Sequence, residues 1–253
     1  MRFASLGSGS RGNALLVEAD GTRVLVDCGF GPRELARRLA RLGIEVGDID
    51  AILVTHEHSD HVGGVARVAG RHGIAVHATA GTCAATGAFA DLRVERFDSH
   101  ASFSIGALEV NPYPVPHDAR EPVQFVIADG RHRLGVLTDA GHVTPHMVSM
   151  LAACDAIVLE CNHDPDMLAR GSYPWHLKQR IAGRFGHLDN GAAADLLRRL
   201  DARRLQHVVC AHLSEHNNLP ALAVAAVSTA LGCAADWVGV AGQDEGFAWR
   251  SLA

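Results

Sequence analysis

"LVTHEHSDHVGG", residues 53–64, decides how the rest of the chain is read. Within it His56, His58 and His61 stand with Glu57 and Asp60, straight after an apolar run and just before Gly63 and Gly64. The run "AILV" predicts a buried strand, and the glycines predict a turn or a close backbone approach. A strand end followed by a tight turn aims His56 and His58 toward one point. Asp60 and His61, on the first turn of a following helix, aim toward another. Imidazole together with carboxylate is a donor set for zinc, manganese or iron. A polar loop with chance histidines is the alternative, and 16 histidines in 253 residues make any single one uninformative. The pattern H-x-H-x-D-H directly after an apolar strand seldom arises by chance.

The same local grammar, a ligand-type residue just after an apolar strand, recurs further on. It is seen at His117 in "YPVPHDA", Asp139 in "LGVLTDAGH" and His212 in "HVVCAHLSEHNN". Strand ends delivering His, Asp and His to one rim would complete two cation sites that share a carboxylate. Each of these residues alone can also be read as a hydrogen-bonded structural residue. His163 follows an apolar strand too, but Asn162 and Asp164 beside it favour a solvated loop, which leaves it outside the ligand set. His142, His146, His176 and His216 read as rim or surface residues.

Outward from the motif, strands and helices interleave. "RFASLGS", "NALLVEAD" and "TRVLVDCG" read as strands, the last two joined by an Asp20-Gly21 hairpin turn. "PRELARRLARLG" reads as a helix with Pro32 at its first position and Gly43 as its stop. "DHVGGVARVAGRHG" predicts one helix beginning inside the motif, "IAVHATA" a strand and "GTCAATGAF" a short helix. The middle is again β-rich, through "RVERF", "SFSIGALEVNPYPV" and the hairpin "VQFVIADGRHRLGVLTD". The last third alternates "AIVLECN", "HVVCAH" and "DWVGVAG" as strands with "YPWHLKQRIAGRF", "NGAAADLLRRL" and "LPALAVAAVSTALG" as helices. Hairpins exclude a purely parallel sheet, so the expectation is two mixed sheets with helices outside. No linker, composition shift or fixed-period repeat divides the chain, which predicts one domain over residues 1–253.

Bulk composition narrows the class. With 48% hydrophobic residues the chain can bury a sizeable core, and the formal net charge of −5 advertises no polyanion partner. The cysteines at 28, 83, 154, 161, 210 and 233 show no CxxC and lie mostly in apolar context, as buried thiols do. The opening "MRFASLGSGSRGN" lacks the apolar segment of a signal peptide, and no run approaches the roughly 20 apolar residues of a membrane span. The expectation is a soluble, cytoplasmic protein.

At this point the residues carry a resemblance. "THEHSDH" followed by His117, Asp139 and His212 resembles, in order and spacing along nearly the whole chain, the metallo-β-lactamase superfamily. The resemblance implies an α/β four-layer αββα sandwich with a dinuclear metal site at one edge of its sheets. By it, His56, His58 and His117 would hold one ion, Asp60, His61 and His212 the other, and Asp139 would bridge two divalent ions, Zn²⁺ or Mn²⁺. The fold hosts many reactions, so the resemblance alone does not fix one. "SLGSGSRGN", "YPWHLKQRIAGRFGHLDN" and "AHLSEHNN" are similar to the YycJ/WalJ group, small members described as 5′-to-3′ exonucleases on double-stranded DNA. Asp189-Asn190 stands where that group is expected to have Ser-Asn, and other short phosphodiesterases share parts of the set.

The resemblance therefore implies a metallo-hydrolase of phosphodiester bonds, with hydroxide bridged between the ions as attacking group and DNA as partner. A small-molecule phosphodiesterase acting on cyclic nucleotides or cyclic phosphates is the alternative on the same site. A nucleic-acid-binding module with vestigial catalysis has no chemical reason to keep two open metal sites. Asp60 would ligate and orient the attacking group. His187 is a proton donor to the departing oxygen, a further metal ligand or a helix-capping residue. Ser8, Ser10 and Asn13 in the glycine loop would hold a phosphate, unless the loop is an ordinary hairpin turn. Lys178, Arg180 and Arg184 on the late helix, and Arg33, Arg37, Arg38 and Arg41 on the early one, would track a nucleic-acid backbone or simply face solvent.

Overall fold

The computed structural model describes residues 1–253. Its strands are β1 (Arg2–Gly7), β2 (Ala14–Ala19), β3 (Thr22–Val26), β4 (Ala51–Leu53), β5 (Ala75–Thr79), β6 (Val94–Phe97) and β7 (Phe103–Ile105). They continue with β8 (Leu108–Pro114), β9 (Val123–Ala128), β10 (Arg133–Leu137), β11 (Ala156–Glu160), β12 (His207–Ala211), β13 (Gly239–Val240) and β14 (Phe247–Ser251). The helices are α1 (Pro32–Ala40), α2 (Ser59–Val62), α3 (Val65–His72), α4 (Ala80–Ala85) and α5 (Pro145–Leu151). After them come α6 (Pro165–Arg170), α7 (Trp175–Ile181), α8 (Asn190–Arg198) and α9 (Pro220–Leu231).

Two seven-stranded sheets result, in the orders β14-β1-β2-β3-β4-β5-β6 and β13-β12-β11-β10-β9-β8-β7. Each is mixed in the same way. From β14 to β3 neighbours run antiparallel, and from β3 to β6 they run parallel. From β7 to β10 neighbours again run antiparallel, and from β10 to β13 parallel. The strand pattern thus repeats although no repeat is visible in the residues.

Strands apolar on both faces require cover on both faces, and that requirement sets the layers. Leu15, Val17, Val24 and Val26 of the first sheet form one buried cluster with Val110, Phe125, Ile127 and Val136 of the second. On the outer face of the first sheet, Leu16, Leu25 and Ile52 pack with Leu35 and Leu39 of α1 and Val65 and Val68 of α3. On the outer face of the second, Leu137, Ile157 and Val208 pack with Leu151 of α5, Leu196 of α8 and Val227 of α9. The order helix, sheet, sheet, helix is the expected four-layer sandwich.

Three details depart from the sequence reading. The single helix expected over "DHVGGVARVAGRHG" is broken into α2 and α3. The break has a backbone cause: the Gly64 N–H bonds to Cys28 O, and a Cβ on Gly64 would lie 1.8 Å from Phe30 O. The helices α5 and α6 are additional to the expected ones, and Thr144-Pro145 and Asp164-Pro165 each give a side-chain cap followed by proline at the first helical position. The closing strand β14, paired with β1, is additional as well; it lies partly exposed at a sheet edge.

Phe125 is fully buried between the sheets. Phe125→Ala is expected to lower unfolding stability by about 3–5 kcal/mol, read from the midpoint of urea denaturation.

Candidate metal centre

All candidate ligands sit where strands end at one edge of the sandwich. The motif follows β4, His117 follows β8, Asp139 follows β10 and His212 follows β12. Such carboxyl ends are where open α/β sheets gather their ligands. Two of these corners use left-handed backbone, with φ of 53° at both Asp139 and His212. That conformation is costly outside glycine and marks residues held by their surroundings.

The donor atoms converge. His56, His58 and His117 offer one group of nitrogens, and Asp60, His61 and His212 a second mixed group. His117 Nε2 lies 3.3 Å from His58 Nδ1, and His212 Nε2 lies 3.4 Å from Asp60 Oδ2. Asp139 stands between the groups, with Oδ2 at 3.2 Å from His61 Nε2 and Oδ1 at 3.5 Å from His212 Nε2 and 4.0 Å from His117 Nε2. His56 Nε2 is buried without a hydrogen-bond partner, and so is Asp139 Oδ2. Orphaned buried polar atoms are rare, and here they point into a cluster of other donors. The residues therefore fit divalent cations.

Charges in the cluster confirm how strongly its members need one another. Burial and the neighbouring His61 push His56 well below the ordinary histidine range. Burial opposes charge on His61 as well, yet Asp139, Asp27 and Asp60 raise it well above that range. His212 is likewise raised to about 10, against burial, by Asp139, Asp60 and Glu160. Asp60 and Asp139 are held low, despite burial, by the histidines around them. Without cations, protons on His61 and His212 balance the carboxylates.

Sequence reasoning missed the residues that hold the ligands. Asp27, with φ of 61°, accepts from His61 Nδ1 at 2.7 Å and from the Thr55 N–H and hydroxyl at 2.9 and 2.8 Å. This fixes the ring so that Nε2 faces the centre. Glu160, fully buried, accepts from His187 Nδ1 at 2.8 Å and from the Ala140 and Leu188 N–H groups at 3.0 Å. Burial would raise the Glu160 carboxyl, but His187 and His212 hold it at about 2. Both residues obey the rule that found Asp139, a carboxylate after an apolar strand, in "VLVDCG" and "IVLECN".

The remaining expected residues fall in different places. His187 lines the cleft over the centre, stacked on His212 with ring centroids 5.3 Å apart. Burial disfavours its charge, but Glu160 and then Asp139 raise its pKa. Ser8 and Asn13 are turned inward. The Ser8 hydroxyl accepts from the His212 N–H at 2.9 Å, and Asn13 Nδ2 donates to Asp60 Oδ2 at 3.2 Å. The loop forms no open phosphate nest, because the N–H groups of Ser8, Gly9, Arg11, Gly12 and Asn13 all bond within the protein. Ser10 alone of the three polar residues lines the cleft. Arg180 lines it too, whereas Lys178 donates to Ala169 O at 2.7 Å, outside it. Glu57 points away and accepts from the Arg120 N–H at 2.7 Å.

The early helix supplies no basic track. Arg37 pairs with Glu34 at 2.6 Å and Arg41 with Glu245 at 2.8 Å. Arg38 is buried, donating to Leu6 O at 2.6 Å and Gln243 O at 2.9 Å with its guanidinium over Phe30. Arg38 and Arg41 thereby tie α1 to the turn before β14, while Arg37 pairs within the helix. No helix is long and apolar enough to cross a membrane.

Comparison with known proteins agrees with this geometry. The family described as the beta-lactamase superfamily domain matches residues 22–208. The chain is 34% identical to exodeoxyribonuclease YycJ of Bacillus anthracis over 91% of its own length and 89% of that protein's. It is 33% identical to exodeoxyribonuclease WalJ of Streptococcus pneumoniae over 88% of its length and 85% of that protein's. Among solved structures, the metallo-β-lactamase fold protein YhfI from Bacillus subtilis superposes with a TM-score of 0.76 at 15% identity, covering 98% of both chains. The fold and the centre define a metallo-hydrolase. The chain belongs to the β-lactamase superfamily, and its candidate metal ligands come from both sheets.

Two measurements test the centre. Asp27→Ala is expected to weaken divalent-ion affinity about 10–100-fold by freeing the His61 ring, as read by chelator competition. Because a cation must displace the proton held by His212, ion uptake near pH 7.5 is expected to release protons and to tighten as pH rises. Calorimetry in buffers of different ionisation enthalpy measures that release.

Proposed function

We propose that this chain is a metal-dependent phosphodiesterase that degrades DNA, as a 5′-to-3′ exonuclease on duplex ends. The observation that carries the reading is the pairing of a His/Asp centre in an open cleft with similarity over about nine-tenths of the chain to proteins named exodeoxyribonucleases. His56, His58 and His117 would hold one ion, and Asp60, His61 and His212 a second, with Asp139 between them; Zn²⁺ and Mn²⁺ both suit these donors. When bound, the ions supply Lewis acidity toward the phosphoryl oxygens and hydroxide from water at neutral pH.

The chain's own groups do the rest. Asp60 is kept ionised, despite burial, by His61 and His212 and aligned by Asn13, so it would orient the attacking group as well as hold an ion. Glu160 accepts a hydrogen bond from His187 Nδ1–H and, against burial, favours the doubly protonated ring, so that Nε2–H, without a protein partner, would give its proton to the departing 3′ oxygen. Ser10 and Arg180, which both line the cleft, would contact flanking phosphates. The paired guanidinium groups of α1 and the net charge of −5 confine DNA contact to this cleft. The His/Asp centre taken by itself suits, as a second reading, a small cyclic nucleotide or cyclic phosphate as substrate.

A time course on linear duplex DNA labelled at the 5′ end, in Mn²⁺, tests the proposal. Early release of short labelled products is expected from the parent, with loss of at least about 100-fold in Asp60→Ala. Turnover of a cyclic phosphodiester with intact DNA would replace the first reading by the second.

A further inference from the structure

Asp118, the neighbour of His117, played no part in the sequence reading, yet its polar groups reach in four directions. Its N–H donates to Phe185 O at 3.0 Å, which clamps the loop after β8 to the loop after α7. Its carbonyl oxygen lies 3.2 Å from His58 Nε2, the nitrogen turned away from His117. Its Oδ1 lies 3.4 Å from His117 Nε2. Its Oδ2 accepts from Arg180 Nε at 2.6 Å.

The Arg180 side chain makes no other polar contact in the protein. It is 60% exposed and lines the cleft that also holds Asp60, Asp139 and His187. With Nε engaged, neither Nη group has a partner within the protein, and the two remain available as a fork of the kind that suits phosphate oxygens. The carboxylate has already restricted the arginine's rotamers, so little freedom is lost when a phosphate arrives. The other basic residue of α7, Lys178, is turned to Ala169 O and does not compete.

We propose that Asp118 is a positioning residue that presents Arg180 to a phosphate adjacent to the scissile one. Substrates carrying a second, flanking phosphate are thereby favoured over isolated phosphodiesters. The inference rests on the phosphodiesterase reading above and narrows its substrate class to chains or ends bearing a neighbouring phosphate. The link from Asp118 to His58 means that the element sensing the flanking phosphate also holds a candidate metal ligand.

The test uses the dinucleotide thymidylyl-thymidine with and without a 5′ phosphate. Binding is measured by titration calorimetry on the phosphorothioate-linked forms, and cleavage by steady-state kinetics on the natural ones. The parent is expected to bind the phosphorylated form about tenfold more tightly. Arg180→Ala and Asp118→Ala are each expected to reduce that preference to within about twofold. For cleavage the lost preference should fall on KM rather than kcat, and Asp118→Glu should restore part of it. Arg180 lies on the surface, so its variant keeps the test open if Asp118→Ala fails to fold. No preference in the parent, or a preference retained in Arg180→Ala, overturns the inference. Preferential binding with no cleavage of either dinucleotide would sink the hydrolase reading and leave the inference standing. Cleavage of both without preference would do the reverse.

Discussion

Buried negative charge is the constraint on which the rest of the structure depends. Asp27, Asp139 and Glu160 are all buried at one sheet edge, with Asp60 close by. Ionised carboxylates are not left in such a place unless positive charge is held there with them. The histidines answer part of that demand with protons, and cations would answer it more completely. Every other feature of the edge follows: strands that stop together, left-handed corners that turn side chains inward, and a glycine loop whose Asn13 amide and Ser8 hydroxyl hold Asp60 and His212 in place.

Much of this was legible in the residues because it follows from short-range rules. The crowded motif could be read at once, since no other chemistry asks for imidazole and carboxylate at that spacing after a strand. His117, Asp139 and His212 were found by a single rule about strand ends. The same rule also covers Asp27 and Glu160, which were passed over because a carboxylate that supports a ligand looks, in sequence, like one that is a ligand. What the residues could not give was direction. Ser8 and Asn13 carry groups suited to a phosphate, but contact with His212 and Asp60 turned them inward, and that contact spans distant parts of the chain. Arg38 and Arg41 are equally ambiguous in sequence, because the turn before β14 that occupies them lies 204–205 residues away. Asp118 is the clearest case, for its four contacts come from segments no local pattern connects.

The fold followed similar lines. Apolar alternation and turn chemistry located most strands and the sandwich itself. The broken helix at Gly63 and Gly64 depended on a carbonyl contributed by Phe30, and the edge strand β14 on pairing with the opposite end of the chain. Both are tertiary facts with only faint local traces.

The repeated strand pattern has a consequence of its own. β3 in one sheet and β10 in the other occupy the same rank, each at the switch from antiparallel to parallel neighbours. Each is followed closely by an aspartate in left-handed conformation, Asp27 and Asp139, and both reach the ring of His61 from opposite sides. Two equivalent corners are thus brought face to face across one imidazole. One turns its carboxylate into the candidate ligand cluster, and the other lends it to the ring that faces that cluster. The asymmetry of the centre lies in what the two corners hold, not in how their backbones turn.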